Sequence, residues 1–402
     1  MIGKIFSLAS KNVFRARTRT LITIFAYAFG IGMYILMDGL LGGAYKDSVK
    51  NIVQKDIGNI KVFSKGYDIN KIVPDPEDYF DEKVYREIFN KYEYSVRELQ
   101  FLTTIVSGEQ QYAGVVRGVK PKSANKVFNY KTDVKVGAWL DSLPDDEVVM
   151  GELLAKVLKL KVGDNFVIIY RNRDGNYDAY DFTVGGLIYT GNPNVDRVDV
   201  FMKLEKAQEI MGAQGLISDI AIRTNDKGAV ERIRRDCGGD LTVYTWEDLS
   251  QDFLNINKTK QISSAVLIMM IVIVAVIGIF NTILLGMFER QIEVGTLKAL
   301  GMSEKEINLL FVIEGGIIGL LGSVVGIITG VILNIPFVTI GISLKGFENM
   351  DIGYPVEAVF RSTWNPGSMI FALIFGVVIA ILASYYPAKR AARLNPVETL
   401  RG

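Results

Sequence analysis

The sequence predicts an integral membrane protein: four transmembrane α-helices, with a large α+β extracytoplasmic domain inserted between the first and second. Three observations predict it. Long uncharged apolar runs interrupt otherwise ordinary sequence, and mean hydropathy is positive at +0.24. A helix that crosses the hydrocarbon core needs about 20 apolar residues, and the stretches 20–44, 262–288, 307–340 and 367–388 all supply them. Lys and Arg crowd both ends of the chain, which places both ends on the cytoplasmic side.

Composition removes whole classes of function. The 402 residues allow two or three domains, and a net charge of +1 argues against nucleic acid as a partner. A single cysteine, Cys237, rules out an intrachain disulfide. The complete lack of histidine removes Ser-His-Asp and Cys-His catalysis and His-containing zinc sites.

The leader, residues 1–19, carries Lys4, Lys11, Arg15, Arg17 and Arg19 and no acid. Ile2, Ile5, Phe6, Ala9 and Val13 fall on one helical arc, which reads either as a short amphipathic helix on the inner leaflet or as a plain start-transfer flank. The first span contains Ala26-Tyr27-Ala28, the form of a signal-peptide cleavage site. Few apolar residues precede it and the apolar run continues past it, so the span is expected to be an uncleaved anchor.

Residues 45–261 read as the outer domain. "GNIKVFSKGY" and "DNFVIIYRNRDGNYDAYDFTVGGLI" alternate as strands do, with Asp174-Gly175-Asn176 as a hairpin turn. "GELLAKVLKL" and "KGAVERIRRDC" read as helices. The acidic stretches "PDPEDYFDE" and "LPDDE" lack the oxygen-ligand spacing of a calcium loop and are expected to be surface loops. Tyr45, Val49, Ile52 and Val53 keep helical spacing beyond the first span. "TWEDLSQDFLNINKTKQISS" has no Pro or Gly, and Thr245 with Asp248 suits a capping box. Both spans are thus read as extending into stalk helices, ordinary linkers being the alternative.

Inside the spans, Asn281 is read as an interhelical hydrogen-bonding residue. The third span carries two rows of small residues, Gly315, Gly319 and Ser323 on one and Gly322, Gly326 and Gly330 on the other, which let neighbouring backbones approach. Glu314, about two turns inside that span, costs at least ~2.5 kcal/mol to insert. It reads as a proton or ion relay, as a side chain snorkelling to the cytoplasmic face, or as one half of an intramembrane hydrogen bond. The loop 341–366 and the fourth span lead to a basic cytoplasmic tail, 389–402.

Between the second and third spans lies a charged interlude, residues 289–306. Ile292, Thr296, Ala299 and Leu300 share one arc of a helix there, while Arg290 and Lys298 lie on another. Gly301 is placed to stop that helix, and Ser303 with Glu306 forms a capping box that opens the next.

"FNTILLGMFERQIEVGTLKALG", the Gly-rich span after it and "YYPAKRAARLNPVETLR" resemble the FtsX-like permease family of ABC transporters. Asn281, Glu289, Arg290, Glu293, Gly295, Lys298, Ala299 and Gly301 match the family's interlude, and Pro387, Ala388, Ala391, Pro396 and Glu398 match its tail. "LMDGL", "DIGNIKVFSKGY", "VVMGELLAKVLKLKVGD" and "VDVFMKLEKAQEIM" are most similar to the lipoprotein-releasing permeases. The resemblance implies a subunit of the inner membrane that works with a second permease chain, identical or homologous, and two ATPase subunits. It would transmit motion to extract lipoproteins, which enter between the first two spans and pass to a soluble carrier. Export of amphiphilic peptides or drugs, and signalling to cell-wall hydrolases, are the alternatives. One departure stands out: only "RNRDGNYDAYD" links two strands where some related permeases carry a long carrier-catching loop. Either the partner subunit carries that loop or cargo is handed over differently, which puts direct carrier binding in doubt.

No G-x-x-x-x-G-K-[ST] motif occurs, so ATP and Mg are expected on a separate ATPase and no cofactor or metal on this chain. The segment from Glu289 to Leu300 is then expected to dock in a groove of that ATPase. Arg290, Glu293 and Lys298 would make polar contacts, with Ile292 and Leu300 as apolar anchors. Met33, Met37, Leu40 and Met270 are candidates for a lateral opening to lipid or lipoprotein, since flexible Met adapts to varied acyl chains; simple packing is the alternative.

Overall fold

The computed structural model describes residues 2–15, 17–226, 228–343 and 359–393, apart from some side chains between 264 and 275. The tail residues Pro396, Glu398 and Arg401 and most of the loop 341–366 lie outside these described residues. The chain divides into two compact units, one of Met1–Ala44, Asn257–Ser343 and Phe360–Gly402, the other of Tyr45–Ile256 with Leu344–Val359. The longer helices are α1 (Ile2–Arg15), α2 (Arg17–Lys55), α3 (Pro121–Phe128), α4 (Glu152–Leu158), α5 (Leu204–Ile210), α6 (Ala229–Asp236), α7 (Gln251–Glu289), α8 (Gln291–Ala299), α9 (Glu304–Thr339) and α10 (Pro366–Ala392).

In the first unit, α2, α9 and α10 are long and apolar enough to cross a membrane. The expected second span falls in α7, whose described apolar stretch is Val276–Glu289, short of a crossing by itself. Both helices read as stalks are unbroken: α2 and α7 each run for 39 residues, well beyond the spans 20–44 and 262–288.

The two glycine rows of α9 meet different neighbours. A Cβ on Gly319 would lie 2.2 Å from the Cβ of Ala380, and one on Gly315 would strike Ser384. Across the other row, Gly322 abuts Tyr27, Gly326 abuts Ile31 and Gly330 abuts Ile35. One row therefore seats α10 and the other seats α2, each through backbone approach that larger side chains would prevent. Tyr27 closes the cluster by donating its hydroxyl to the Gly376 carbonyl at 2.6 Å.

The leader forms a helix, α1, and its apolar arc has protein partners. Ile5 and Ala9 pack on Leu310 of α9, and Val13 joins the core with Ile24, Ile307 and Phe311. Most of the apolar arc thus faces protein. Phe6, from the same arc, and Phe14 are exposed.

The second unit is built on a ten-stranded sheet. Its strands are β1 (Ile60–Ser64), β2 (Ser95–Ser107), β3 (Gln110–Val119), β4 (Val134–Gly137), β5 (Glu147–Gly151), β6 (Asn165–Arg171), β7 (Tyr177–Ile188), β8 (Asp199–Lys203), β9 (Asp219–Ile222) and β10 (Leu241–Thr245). Their order is β10-β1-β9-β2-β3-β8-β5-β7-β4, with β6 pairing both β2 and β7. One face buries Ile60, Leu99, Phe101, Val116 and Val200 against α4, α5 and α6; the other buries Val96, Val119 and Phe201 against α3, Tyr130 and Trp139. The expected hairpin is β6–β7, with Arg171 opposite Tyr177 and Gly175 at φ +86° in the left-handed region that the turn requires. The capping box at Thr245 and Asp248 is present.

Candidate functional site

The charged interlude is an elbow followed by a capped helix. A single residue, Arg290, leaves helical geometry between α7 and α8, at φ −116° and ψ 22°. Helix α8 ends in a Schellman motif: the Gly301 N–H donates to the Lys298 carbonyl at 2.9 Å and the Met302 N–H to that of Leu297 at 3.0 Å. Gly301 takes φ +96°, a conformation that costs a side-chain-bearing residue energy. Ser303 and Glu306 then form the capping box of α9, the Ser303 N–H donating to Glu306 Oε2 at 2.7 Å.

The polar residues of the interlude are engaged inside the chain. Arg290 Nη2 donates to Glu314 Oε2 at 2.7 Å, and its guanidinium carbon lies 5.5 Å from the centre of the Phe311 ring. Glu293 pairs with Arg15 of α1 and Glu289 with Arg19 of α2, each at 2.7 Å. Lys298 donates to the Ala392 carbonyl at 2.8 Å, near the end of α10, and lies 3.7 Å from Glu304. Arg290, Glu293 and Lys298 thereby tie α9, α1 and α10 to α8 or its elbow. The apolar arc stays open: Ile292 is 65% exposed and Leu300 80%, with Thr296 and Ala299 exposed between them. Val294 and Gly295 face inward. What α8 offers to its surroundings is therefore an apolar strip held on a frame of internal ion pairs.

The remaining sequence-selected residues divide. Glu314 forms an internal hydrogen bond: it is 4% exposed, and both oxygens are held, Oε2 by Arg290 and Oε1 by Asn12 Nδ2 at 2.7 Å. Asn281 is exposed, and the interhelical bond expected there is made by its neighbour Thr282, whose hydroxyl meets that of Thr23 at 2.6 Å. Met33 and Met37 are exposed on one side of α2 with Leu40 half-buried beside them. Met270 is exposed on α7.

Sequence reasoning missed a second feature, in the outer unit. Lys61, Glu98, Arg117, Asp199 and Asp219 stand on adjacent strands, on the sheet face that α3 covers, and all are buried. Lys61 Nζ lies 3.3 Å from Glu98 and 3.2 Å from Asp219, which are cross-strand neighbours. Arg117 bridges Asp56, just past the end of α2, and Asp199, at 2.6 Å each. Burial raises the Asp219 carboxyl to about 7 against the opposing pull of Lys61, and raises that of Asp199 well above the usual range. The same joint holds the end of α2 by further contacts: the Tyr130 hydroxyl donates to the Lys55 carbonyl at 2.8 Å, Lys55 pairs with Asp133, and Asn51 donates to the Thr190 carbonyl at 3.0 Å. The available signal was a lysine at an inward position of an otherwise apolar strand.

These features sit within two family profiles. The FtsX-like permease C-terminal domain matches residues 265–396, and the MacB-like periplasmic core domain matches residues 20–237. They define a membrane permease subunit of an ABC transporter, carrying a periplasmic α+β domain. The chain belongs to the FtsX-like permease family, in its LolC- and MacB-related form.

Among its relatives is an "Uncharacterized ABC transporter permease MJ1507" of Methanocaldococcus jannaschii, 25% identical and covering 100% of this chain and 98% of the relative. The "Lipoprotein-releasing system transmembrane protein LolC" of Xylella fastidiosa is 27% identical across 74% of this chain and 75% of that protein. The "Macrolide export ATP-binding/permease protein MacB" of Bordetella avium is 26% identical across 52% of this chain but only 31% of that protein.

Proposed function

We propose that the chain extracts lipoproteins from the inner membrane as a mechanotransmitting permease, paired with a second permease chain and driven by two separate ATPase subunits that carry ATP and Mg. In this reading both termini and α8 are cytoplasmic, α7 crosses the membrane as the second of four spans, and α2 and α7 carry motion to the periplasmic domain. The observation that carries it is α8: an exposed apolar strip on a short helix braced by internal ion pairs suits a lever that an outside motor pushes. The docking contacts are then Ile292 and Leu300, with Arg290, Glu293 and Lys298 acting as braces. Lipoprotein as cargo is supported by the extent of the LolC likeness, with Met33, Met37, Leu40 and Met270 toward the lateral opening.

The test is purification of the full chain from native membranes. A co-purifying ATPase is expected, and an Ile292→Asp/Leu300→Asp variant that retains it in full would remove the docking role. Proteoliposomes of the complex loaded with a triacylated test protein should release it on adding ATP and a soluble carrier.

A second reading, export of amphiphilic peptides or drugs, is favoured by one observation. The β6–β7 hairpin turns tightly at residues 172–176, with no long loop to catch a carrier. ATP-dependent loss of a fluorescent macrolide from the same liposomes, without release of the lipidated protein, would decide for export.

A further inference from the structure

We infer that Glu314 is a latch that fixes the angle of α8 on the membrane unit, and is thereby a positioning residue for coupling. The inference rests on the docking reading of α8 but is carried by separate geometry. Arg290 is the only residue between α7 and α8, so whatever holds its side chain also holds the elbow. Glu314 holds it from α9 at 2.7 Å, while Phe311, one turn earlier, lies beneath the guanidinium at 5.5 Å. The other carboxylate oxygen takes the Asn12 amide at 2.7 Å, which adds α1 to the same joint.

The position of Glu314 excludes the other readings of this side chain. It stands ten residues after Glu304, roughly 15 Å along the helix axis. At 4% exposure it does not reach the aqueous face as a snorkelling acid would. Each of its oxygens is occupied by a fixed donor, one of them a guanidinium that stays charged at all working pH values, so a relay has no free station here. The flanking pairs, Arg19–Glu289 and Arg15–Glu293, are more exposed and hold the same elbow more weakly. A buried charge-assisted pair keeps one geometry better than an apolar contact, because its donors and acceptors must align.

The test uses the full chain in lipid nanodiscs with Cys237→Ala. Spin labels are placed at Ser7→Cys on α1 and Ala299→Cys on α8, both exposed and outside the latch. Pulsed EPR should read one narrow distance peak in this background. Glu314→Gln keeps the volume and an acceptor for Asn12, and Arg290→Gln removes the cation; both should broaden or split the peak. The exchange Arg290→Glu with Glu314→Arg should narrow it again, which a merely destabilised bundle would not do. In the unlabelled complex with its co-purified ATPase, ATP turnover should fall between about twofold and thirtyfold in the Gln variants. An unchanged peak in both Gln variants overturns the latch, whatever turnover does. A broadened peak with unchanged turnover leaves the latch standing and overturns the docking role of α8.

Discussion

The membrane unit and the outer unit both bury charge, and they resolve it differently. In the membrane unit one carboxylate, Glu314, meets one guanidinium and one amide, each at 2.7 Å, and the charge balances. In the outer unit four carboxylates, Asp56, Glu98, Asp199 and Asp219, share two cations, Lys61 and Arg117. Atoms with neither a hydrogen bond nor an ion-pair contact remain there, including Glu98 Oε1 and Asp199 Oδ1. Lipid offers no water to a surplus charge, so the membrane unit gains its cohesion from glycine rows and admits charge only in a closed set. A domain in water tolerates a surplus by binding protons, which is what raised carboxyl values express.

The largest effect should come from the cation that this surplus leans on most. Arg117→Leu leaves Asp56 and Asp199 buried without their partner, and a broken buried pair costs about 3–5 kcal/mol. Urea unfolding of the full chain, followed by near-UV dichroism of the outer unit, should show that loss. An unchanged midpoint would mean that Arg117 is not the hub of the network. Next in size, Gly319→Leu forces a side chain into Ala380, where a Cβ alone would already lie 2.2 Å from its neighbour. Overpacking of this kind costs about 1–3 kcal/mol, and the thermal midpoint in detergent should fall while the outer unit's own transition stays in place. If both variants shift both transitions equally, the two units do not hold themselves together by separate means.

The proton argument has a defined sign. Asp196, buried beside the joint, accepts from the Thr190 and Gly191 N–H groups at 2.8 Å each and from the Thr190 hydroxyl at 2.9 Å, yet burial still raises it to about 7. Unfolded, an aspartate titrates near ~4. Between those values only the folded chain holds the proton, so its contribution is present in full at low pH and is lost as pH rises through about 7. Wild-type stability from this group should decline by up to about 1.4 kcal/mol per pH unit across that window. Asp196→Asn, which cannot ionise, should flatten that part of the profile in thermal unfolding between about pH 4 and 7, the window set by the unfolded and folded values. A profile as steep as wild type would assign the pH dependence to Asp199 and Asp219 instead.

The elements of both units were legible where their signals are local. The β6–β7 turn, both capping boxes, the glycine stop at Gly301 and the two rows of α9 follow from spacing within a few residues, and each stands in the structure. Side-chain partnerships were not legible, because they join distant parts of the chain. Arg290 and Lys298 share an arc on a helical projection, and with Glu293 they look like outward polar contacts. Their partners Glu314, Arg15 and the Ala392 carbonyl lie 24, 278 and 94 positions away, where no periodicity reaches. Lys61 is similar: strand alternation puts it on the face opposite Ile60 and Val62, and its burial beside Glu98 and Asp219 appears only when β1, β9 and β2 are adjacent.

The smallest predicted effect separates two neighbours on α7. Sequence singled out Asn281, a polar residue inside a span, for a bond across helices. One residue along a helix rotates the side chain by about 100°, so Asn281 and Thr282 cannot face the same neighbour. It is Thr282 that is buried, with its hydroxyl 2.6 Å from that of Thr23. Interhelical hydrogen bonds inside membranes average only about 0.6 kcal/mol, so Thr282→Val should lower the thermal midpoint of the isolated chain slightly but measurably. Asn281→Leu, on the exposed side, should stay within about 0.5 kcal/mol of wild type. Should Asn281→Leu prove the more damaging in membranes yet neutral in dilute detergent, the amide meets a second permease chain. The membrane unit would then complete its polar pairing between chains, where the outer unit keeps its surplus within one.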